Sequence, residues 1–257
     1  MACAPPSASS SQAVAVDRSE RGPVIELVDL TKVYGSGDLA VHALRGVSLA
    51  VDEGEYVAVM GESGSGKTTL LGILGCLDRP STGSYQLVGL EVTTLPETRR
   101  AGVRGARIGF VFQAYNLLPR STAYKNVELP LVYAGVPRPE RQPRVLAALE
   151  EVGLHDRAGH LPSELSGGQQ QRVAVARALV TRPSVILADE PTGNLDSVSA
   201  NQVLEILARQ HERGATIVIV THSDDVARHA SRLVRFADGL IVADHPVPRA
   251  PATGQRT

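Results

Sequence analysis

Residues 61–68 read GESGSGKT, a phosphate-binding pattern of the form G-x-x-x-x-G-K-[ST]. Its glycines let the backbone curl until successive N–H groups face one point, and the helix start expected behind it adds positive potential. The chemistry this suits is the cradling of a triphosphate. Gly61, Glu62, Ser63, Gly64, Ser65 and Gly66 form the cradle, and Thr69 follows it. Lys67 would reach the β- and γ-phosphates, and the Thr68 hydroxyl would ligate Mg²⁺. Lysine is scarce in this chain, with Lys32, Lys67 and Lys125 set against 23 arginines. A lysine inside a chemical pattern is therefore a poor product of composition alone.

A second run, VILADE over 185–190, is four apolar residues ending in two acids. A buried strand would deliver Asp189 to the carboxyl end of a sheet beside the phosphate loop, where it can hold Mg²⁺ through water. Glu190 is then placed to polarise an attacking water as general base. By itself this run also fits a strand leading into a solvated acidic turn; its pairing with the phosphate loop decides for chemistry. A third run, LSGGQ over 165–169, puts Ser166 at a helix N-cap and leaves the N–H groups of Gly167 and Gly168 uncovered, with Gln169 beside them. It is a second anion-binding terminus, about 100 residues from the first.

Elements must position these groups. Short β-rich runs are expected at Val24–Leu30, Val47–Val51 and Tyr56–Met60, then a helix from Lys67 to Leu77 with an apolar stripe of Leu70, Leu71, Leu74 and Leu77. Strands follow at Tyr85–Val88 and Ile108–Phe112, and residues 114–183 read as helical, broken by prolines at 130, 137, 139 and 143. Two continuous apolar strands, Val185–Ala188 and Thr216–Val220, flank a helix over Ser199–Arg213 with Gly214 at its C-terminal cap. Apolar strands separated by a helix predict a parallel sheet covered on both faces. The expected fold class is α/β with a helical insertion. Residues 1–22 and 245–257 lack hydrophobic periodicity and read as disordered tails around one domain over 23–244.

Composition excludes several classes. The 257 residues are 43% hydrophobic and 21% charged, with a net charge of −1. A near-neutral chain without a long basic run is a poor nucleic-acid binder. Cys3 and Cys76 are too few for a disulfide framework or a zinc site, which points to a reducing compartment. No stretch approaches 18 consecutive apolar residues, and the start lacks the layout of a secretory signal. Arg99, Arg100, Arg104 and Arg107 form a basic cluster that reads as a solvated face, with anionic lipid contact as the alternative.

Together, GESGSGKT, LSGGQ and VILADE resemble the signature set of ATP-binding cassette (ABC) ATPases, and the likeness runs over 24–244. The resemblance implies a phosphate-loop ATPase core of mostly parallel sheet, an N-terminal antiparallel β subdomain and an inserted helical subdomain. It implies a homodimer in which two copies pair head to tail, so that each Mg-ATP lies between one phosphate loop and the other copy's LSGGQ. By the same resemblance Tyr34 in TKVYG stacks on adenine, and Gln113 in FVFQ touches Mg²⁺ and the attacking water. Asp196 in GNLDS crosses the dimer interface, and His222 in VTHS contacts the γ-phosphate. HALRGVSL, LGILGCLDRPSTGSY, RIGFVFQAYNLLPRSTAYKNVELPLVYAGV and ADEPTGNLDS are similar to the ATPase subunits of lipoprotein-releasing and macrolide-exporting ABC systems. That likeness implies a separate permease partner with an extracytoplasmic domain, and a peripheral place on the cytoplasmic face of the cell membrane. Glu62 replaces the usual Pro, Thr68 the commoner Ser, and Lys125 the usual Glu in the segment that faces the permease in relatives. Two other outputs fit the same motifs: a cell-envelope or division regulator, and a soluble ABC ATPase of DNA repair or ribosomes. The second is disfavoured because the chain has neither a heptad array nor a second cassette.

Overall fold

The structure is a computed structural model that describes residues 22–247. Residues 1–21 and 248–257, with Cys3 and most of both expected tails, lie outside the described residues. Four strands form an antiparallel sheet: β1 (Ile25–Tyr34), β2 (Val41–Val51), β4 (Thr82–Leu87) and β5 (Leu90–Glu91), in the order β2-β1-β4-β5. The second sheet holds β3 (Tyr56–Gly61), β6 (Ile108–Phe112), β7 (Val185–Asp189), β8 (Thr216–Thr221), β9 (Arg232–Ala237) and β10 (Leu240–Pro246). Its order is β10-β9-β3-β8-β7-β6, parallel throughout except for the β9–β10 hairpin at one edge.

Burial on both faces explains the continuous apolar sequence of these strands. Val57, Val59, Leu187, Val218 and Val220 pack toward the antiparallel sheet and α1 (Lys67–Leu74). Ala58, Met60, Ile186, Ala188, Ile217 and Ile219 pack on the other side. There they meet α3 (Ala123–Tyr133), α4 (Arg138–Glu151), α5 (Gly167–Leu179) and α6 (Ser197–Glu212). The parallel register pairs Phe112 with Asp189, Asp189 with Val220, and Met60 with Thr221. Four strands thus end level, and the residues just past them share one edge of the sheet.

Several expectations need correction. The helix after the phosphate loop stops at Leu74, not Leu77. Cys76 turns into the left-handed region (φ 54), the Leu77 N–H closes on the Gly72 carbonyl at 2.8 Å, and Leu77 is exposed rather than part of the stripe. Pro137 and Pro139 do sit at a helix start, but Pro130 and Pro143 lie inside α3 and α4. Burial of Val127, Leu131, Val145 and Leu149 on those helices offsets the roughly 3 kcal/mol an interior proline costs. The basic cluster is not one solvated face. It lies on a helix the sequence reading omits, α2 (Glu97–Arg107), where Arg99 and Arg107 are exposed but Arg100 is buried. Arg100 and Arg104 both donate to the Cys76 carbonyl, at 3.1 and 2.8 Å, and so hold the turn that follows α1. Finally, β10 continues through His245 and Pro246, two residues into the segment expected to be a tail. A short helix, α7 (Asp224–Ala227), completes the chain between β8 and β9.

Candidate nucleotide site

Strand β3 ends at Gly61 and α1 begins at Lys67, so the phosphate loop spans a strand end and a helix start as the pattern requires. Two glycines are obligatory for steric reasons. A Cβ on Gly61 would run into the Phe236 carbonyl oxygen and lie 2.8 Å from Ser65 Oγ. Gly66 caps α1 at φ 104, and a Cβ there would strike the Ala43 carbonyl oxygen. Lys67 is buried, and its Nζ donates to the carbonyls of Gly61 and Glu62 at 2.7 Å each. The ammonium is thereby folded over the loop that carries it.

One cleft of about 520 Å³ gathers Gly61, Glu62, Ser63, Gly64, Gly66, Lys67, Thr68 and Thr69 with Asp189, Glu190, Val220 and His222. Ser65 lies buried beneath it. Among these, Asp189 and Glu190 are held very differently. The Glu190 carboxylate accepts from Thr221 Oγ1 at 3.2 Å and from His222 Nδ1 at 2.7 Å, which puts a proton on that ring nitrogen. Its backbone sits at φ 43, a left-handed conformation costly for a non-glycine, and its N–H bonds the Val220 carbonyl at 2.9 Å. Asp189 accepts no hydrogen bond on its carboxylate from the described residues. Burial chiefly raises its pKa, Glu190 beside it adds to the rise, and Lys67 opposes it.

Gln113 follows β6 and does not line the cleft. Its Nε2 donates to Asn194 Oδ1 at 3.3 Å, and Asn194 Nδ2 returns a bond to the Gln113 carbonyl at 3.2 Å. Tyr34 ends β1, half exposed, with Lys32 Nζ 4.7 Å from its ring centroid and its hydroxyl donating to Asp78 at 2.7 Å. Burial alone would raise the Asp78 carboxyl, but the bonds from Lys32, Tyr34 and the Arg79 N–H outweigh it and hold its pKa low. Thr69 is within bonding reach of the Tyr34 hydroxyl, which ties this corner to the phosphate loop.

The remaining expected residues form a separate cluster. Ser166 caps α5 by accepting from the Gln169 N–H at 3.3 Å, while Gln169 Oε1 accepts from the Ser166 N–H at 3.0 Å. Asp196 caps α6, accepting from the N–H groups of Val198 and Ser199 at 3.0 Å each and from Ser199 Oγ at 2.7 Å. The Ser199 N–H leads in holding its pKa below the usual carboxylate range. Gly168 lies so close to Ser199 that a Cβ would collide with its hydroxyl, so the two capped helix starts form one surface. None of Ser166, Gly167, Gly168, Gln169 or Asp196 lines the phosphate-loop cleft.

Several residues that build this region carried no signal in the sequence reading. Asn194, inside GNLDS, gains its role only from the fold, which sets it against Gln113. Arg177 anchors the segment after Gln113 by donating to the Tyr115 carbonyl at 2.8 Å, and the Tyr115 hydroxyl would stand 2.9 Å from a Cβ on Gly167. Lys125, the charge reversal, is exposed and lies 3.7 Å from Glu128.

Fold and cleft together define a nucleoside-triphosphate-binding cassette. The ABC transporter family model matches residues 44–193. An uncharacterized ABC transporter ATP-binding protein of Thermotoga maritima is 56% identical over 218 residues, which is 85% of this chain and 93% of that protein. The macrolide export ATP-binding/permease protein MacB of Rhodospirillum rubrum is 52% identical over 234 residues, 91% of this chain but 36% of MacB. The chain therefore spans little more than a third of MacB's length. Among solved structures, the dimeric ATP-binding cassette MJ0796 in a post-hydrolysis state with ADP and Pi is 41% identical, at a TM-score of 0.81, covering 87% of this chain and 99% of that one. The chain belongs to the ABC transporter family and is an ATP-binding cassette, an ATPase, of it.

Proposed function

We propose that this chain is the ATP-hydrolysing subunit of a transporter of the lipoprotein-release or macrolide-export type, working as a head-to-tail homodimer around two Mg-ATP. The observation that carries the reading is the division of the expected site residues into two half-sites on one chain. The phosphate-loop cleft holds a triphosphate-binding loop and two acids, whereas the Ser166–Asp196 surface offers helix starts but lies outside that cleft. Two copies related by a two-fold axis would bring unlike halves together. The dimeric MJ0796 cassette supports the homodimer, and MacB, named as both ATP-binding protein and permease, supports a membrane permease as partner. Among the described residues no helix is long and apolar enough to cross a membrane. The cassette would then sit on the cytoplasmic face of the membrane through that permease.

Within the cleft, Lys67 and the loop N–H groups would bind the phosphates, and Tyr34, outside its lining, would stack on the base, steadied by Lys32 and Asp78. Thr68 and Asp189 would hold Mg²⁺, and Gln113, which lies outside the cleft and bonds Asn194, would have to swing in to join them. A half-buried carboxylate without a hydrogen bond, beside a hydroxyl, is the hard oxygen donor set that ion takes. When bound, Mg²⁺ supplies positive charge against the β- and γ-phosphates. Glu190 would accept the proton of the attacking water. His222, donating to Glu190 through Nδ1, would fix the direction of the carboxylate, and would bond the γ-phosphate from Nε2 only with a proton on that nitrogen as well. Ser166, Gly167, Gly168 and Gln169 of the second copy would close over the same phosphates, with Asp196 at the seam.

Glu190→Gln tests the reading. It should bind ATP normally, turn over at least about a hundredfold more slowly, and accumulate as an ATP-loaded dimer on size exclusion. Undiminished turnover would remove Glu190 as the base.

A further inference from the structure

Gln171 lies on α5, one turn past the Ser166 cap, and is completely buried. Its Nε2 donates to the carbonyl of Pro191 at 2.6 Å. Its Oε1 is buried without a partner among the described residues. The contrast with Asn126, the other fully buried amide among the described residues, is informative. Asn126 Oδ1 accepts from the Leu118 N–H at 2.7 Å, and Nδ2 donates to the carbonyls of Leu118, Ser121 and Thr122. Asn126 is a satisfied structural amide. Gln171 is half satisfied, and an unmet acceptor in the interior is a net cost that a methionine of similar volume would avoid. Stability alone therefore does not explain an amide at this position.

What the single bond reaches does explain it. Pro191 directly follows Glu190, the residue whose backbone is held in the left-handed region at φ 43. The strained turn is gripped from β8 by the Glu190 N–H to Val220 carbonyl bond. Within the turn the Gly193 N–H bonds the Glu190 carbonyl at 3.0 Å, and from α5 Gln171 supplies the side-chain bond to the Pro191 carbonyl, the one polar backbone group a proline offers. We propose that Gln171 is a positioning residue for Glu190, tying the turn that carries the general base to the helix that begins with Ser166–Gln169. A helix seated on nucleotide and the base of its own chain are thereby held as one unit. The inference rests on Glu190 being the base, and extends that reading to a residue outside the cleft.

The test uses the full chain with Gln171→Met and Gln171→Glu. Gln171→Met keeps the volume and deletes the donor. It should lower kcat about tenfold while leaving KM for ATP and the thermal midpoint near wild type. In Gln171→Glu a protonated carboxyl can still donate to the Pro191 carbonyl, whereas the ionised form repels it. Its kcat relative to wild type should therefore be highest at low pH and fall as pH rises. The proposal is overturned if Gln171→Met keeps kcat within twofold of wild type, or if Gln171→Glu follows the wild-type pH profile. Loss of fold in Gln171→Met would leave the Gln171→Glu profile to decide. Full turnover in Glu190→Gln would instead sink the underlying reading, so the two failures are distinct.

Discussion

Asp189 and Glu190 are neighbouring carboxylates in opposite situations, and the difference is a pH-dependent statement about stability. Thr221 and His222 satisfy Glu190, whereas Asp189 is desolvated, repelled by Glu190 and without a hydrogen bond from the described residues. A raised folded pKa means the fold is relatively favoured while Asp189 is neutral, below about pH 4, and loses stability as pH rises through the raised value. Asp189→Asn is neutral at every pH. Thermal melts at pH 7.5 should show its midpoint above wild type by roughly 2–4 °C, with no difference at pH 4, while ATP turnover falls about a hundredfold. A lower midpoint at pH 7.5 would show that the Asp189 carboxylate is stabilised rather than strained in the fold.

At the scale of elements, Arg232 on β9 is one node where the two sheets meet. Its Nε and Nη2 bond both oxygens of Asp244 on β10 at 2.7 Å each. Its Nη1 reaches the Ala50 carbonyl on β2 at 2.9 Å and Glu55 at 3.2 Å. The bonds from Arg232 are the main reason the Asp244 carboxyl is held below its usual range, with burial opposing them. A depressed carboxylate contributes stability above its unfolded value, near pH 4, and loses it as pH falls through the folded one. Arg232→Gln should lower the midpoint at pH 7 by roughly 2–4 °C and shrink its gap to wild type on acidification below pH 4. A gap that stays constant in acid would exclude this pair as its source. The node was invisible in the sequence because its partners are far apart along the chain. The parallel strands were legible, since burial on both faces leaves long apolar runs such as Val185–Ala188. Helix α2 was not: its buried anchor is the arginine Arg100 meeting a carbonyl, and that residue type signals solvent. Leu77 failed for the opposite reason, an apolar residue at helical spacing beyond the point where Cys76 breaks the helix. In the site, the contiguous runs at 61–68, 165–169 and 185–190 declared themselves through residue type. Asn194 and Gln171 did not, because their meaning comes from what the fold sets against them, Gln113 81 residues away in one case and Pro191 in the other.

For the whole molecule, the proposed head-to-tail pairing makes each copy's site incomplete on its own. The phosphate-loop cleft opens at the carboxyl edge of the parallel sheet, and the capped starts of α5 and α6 form a second surface outside it. On the proposed reading, Lys67→Ala would remove one half-site and Ser166→Glu, setting a carboxylate against the phosphates, would remove the other. Each homodimer should be inactive, yet a heterodimer of the two keeps one composite site in which both halves are wild type. The most direct measurement is ATP turnover by an equimolar mixture of these two variants, each checked for an unchanged thermal midpoint. About a quarter of wild-type activity should arise from the two inert parents, since about half of the dimers are mixed and each has one of two sites intact. Wild-type turnover by the Ser166→Glu protein on its own would contradict it.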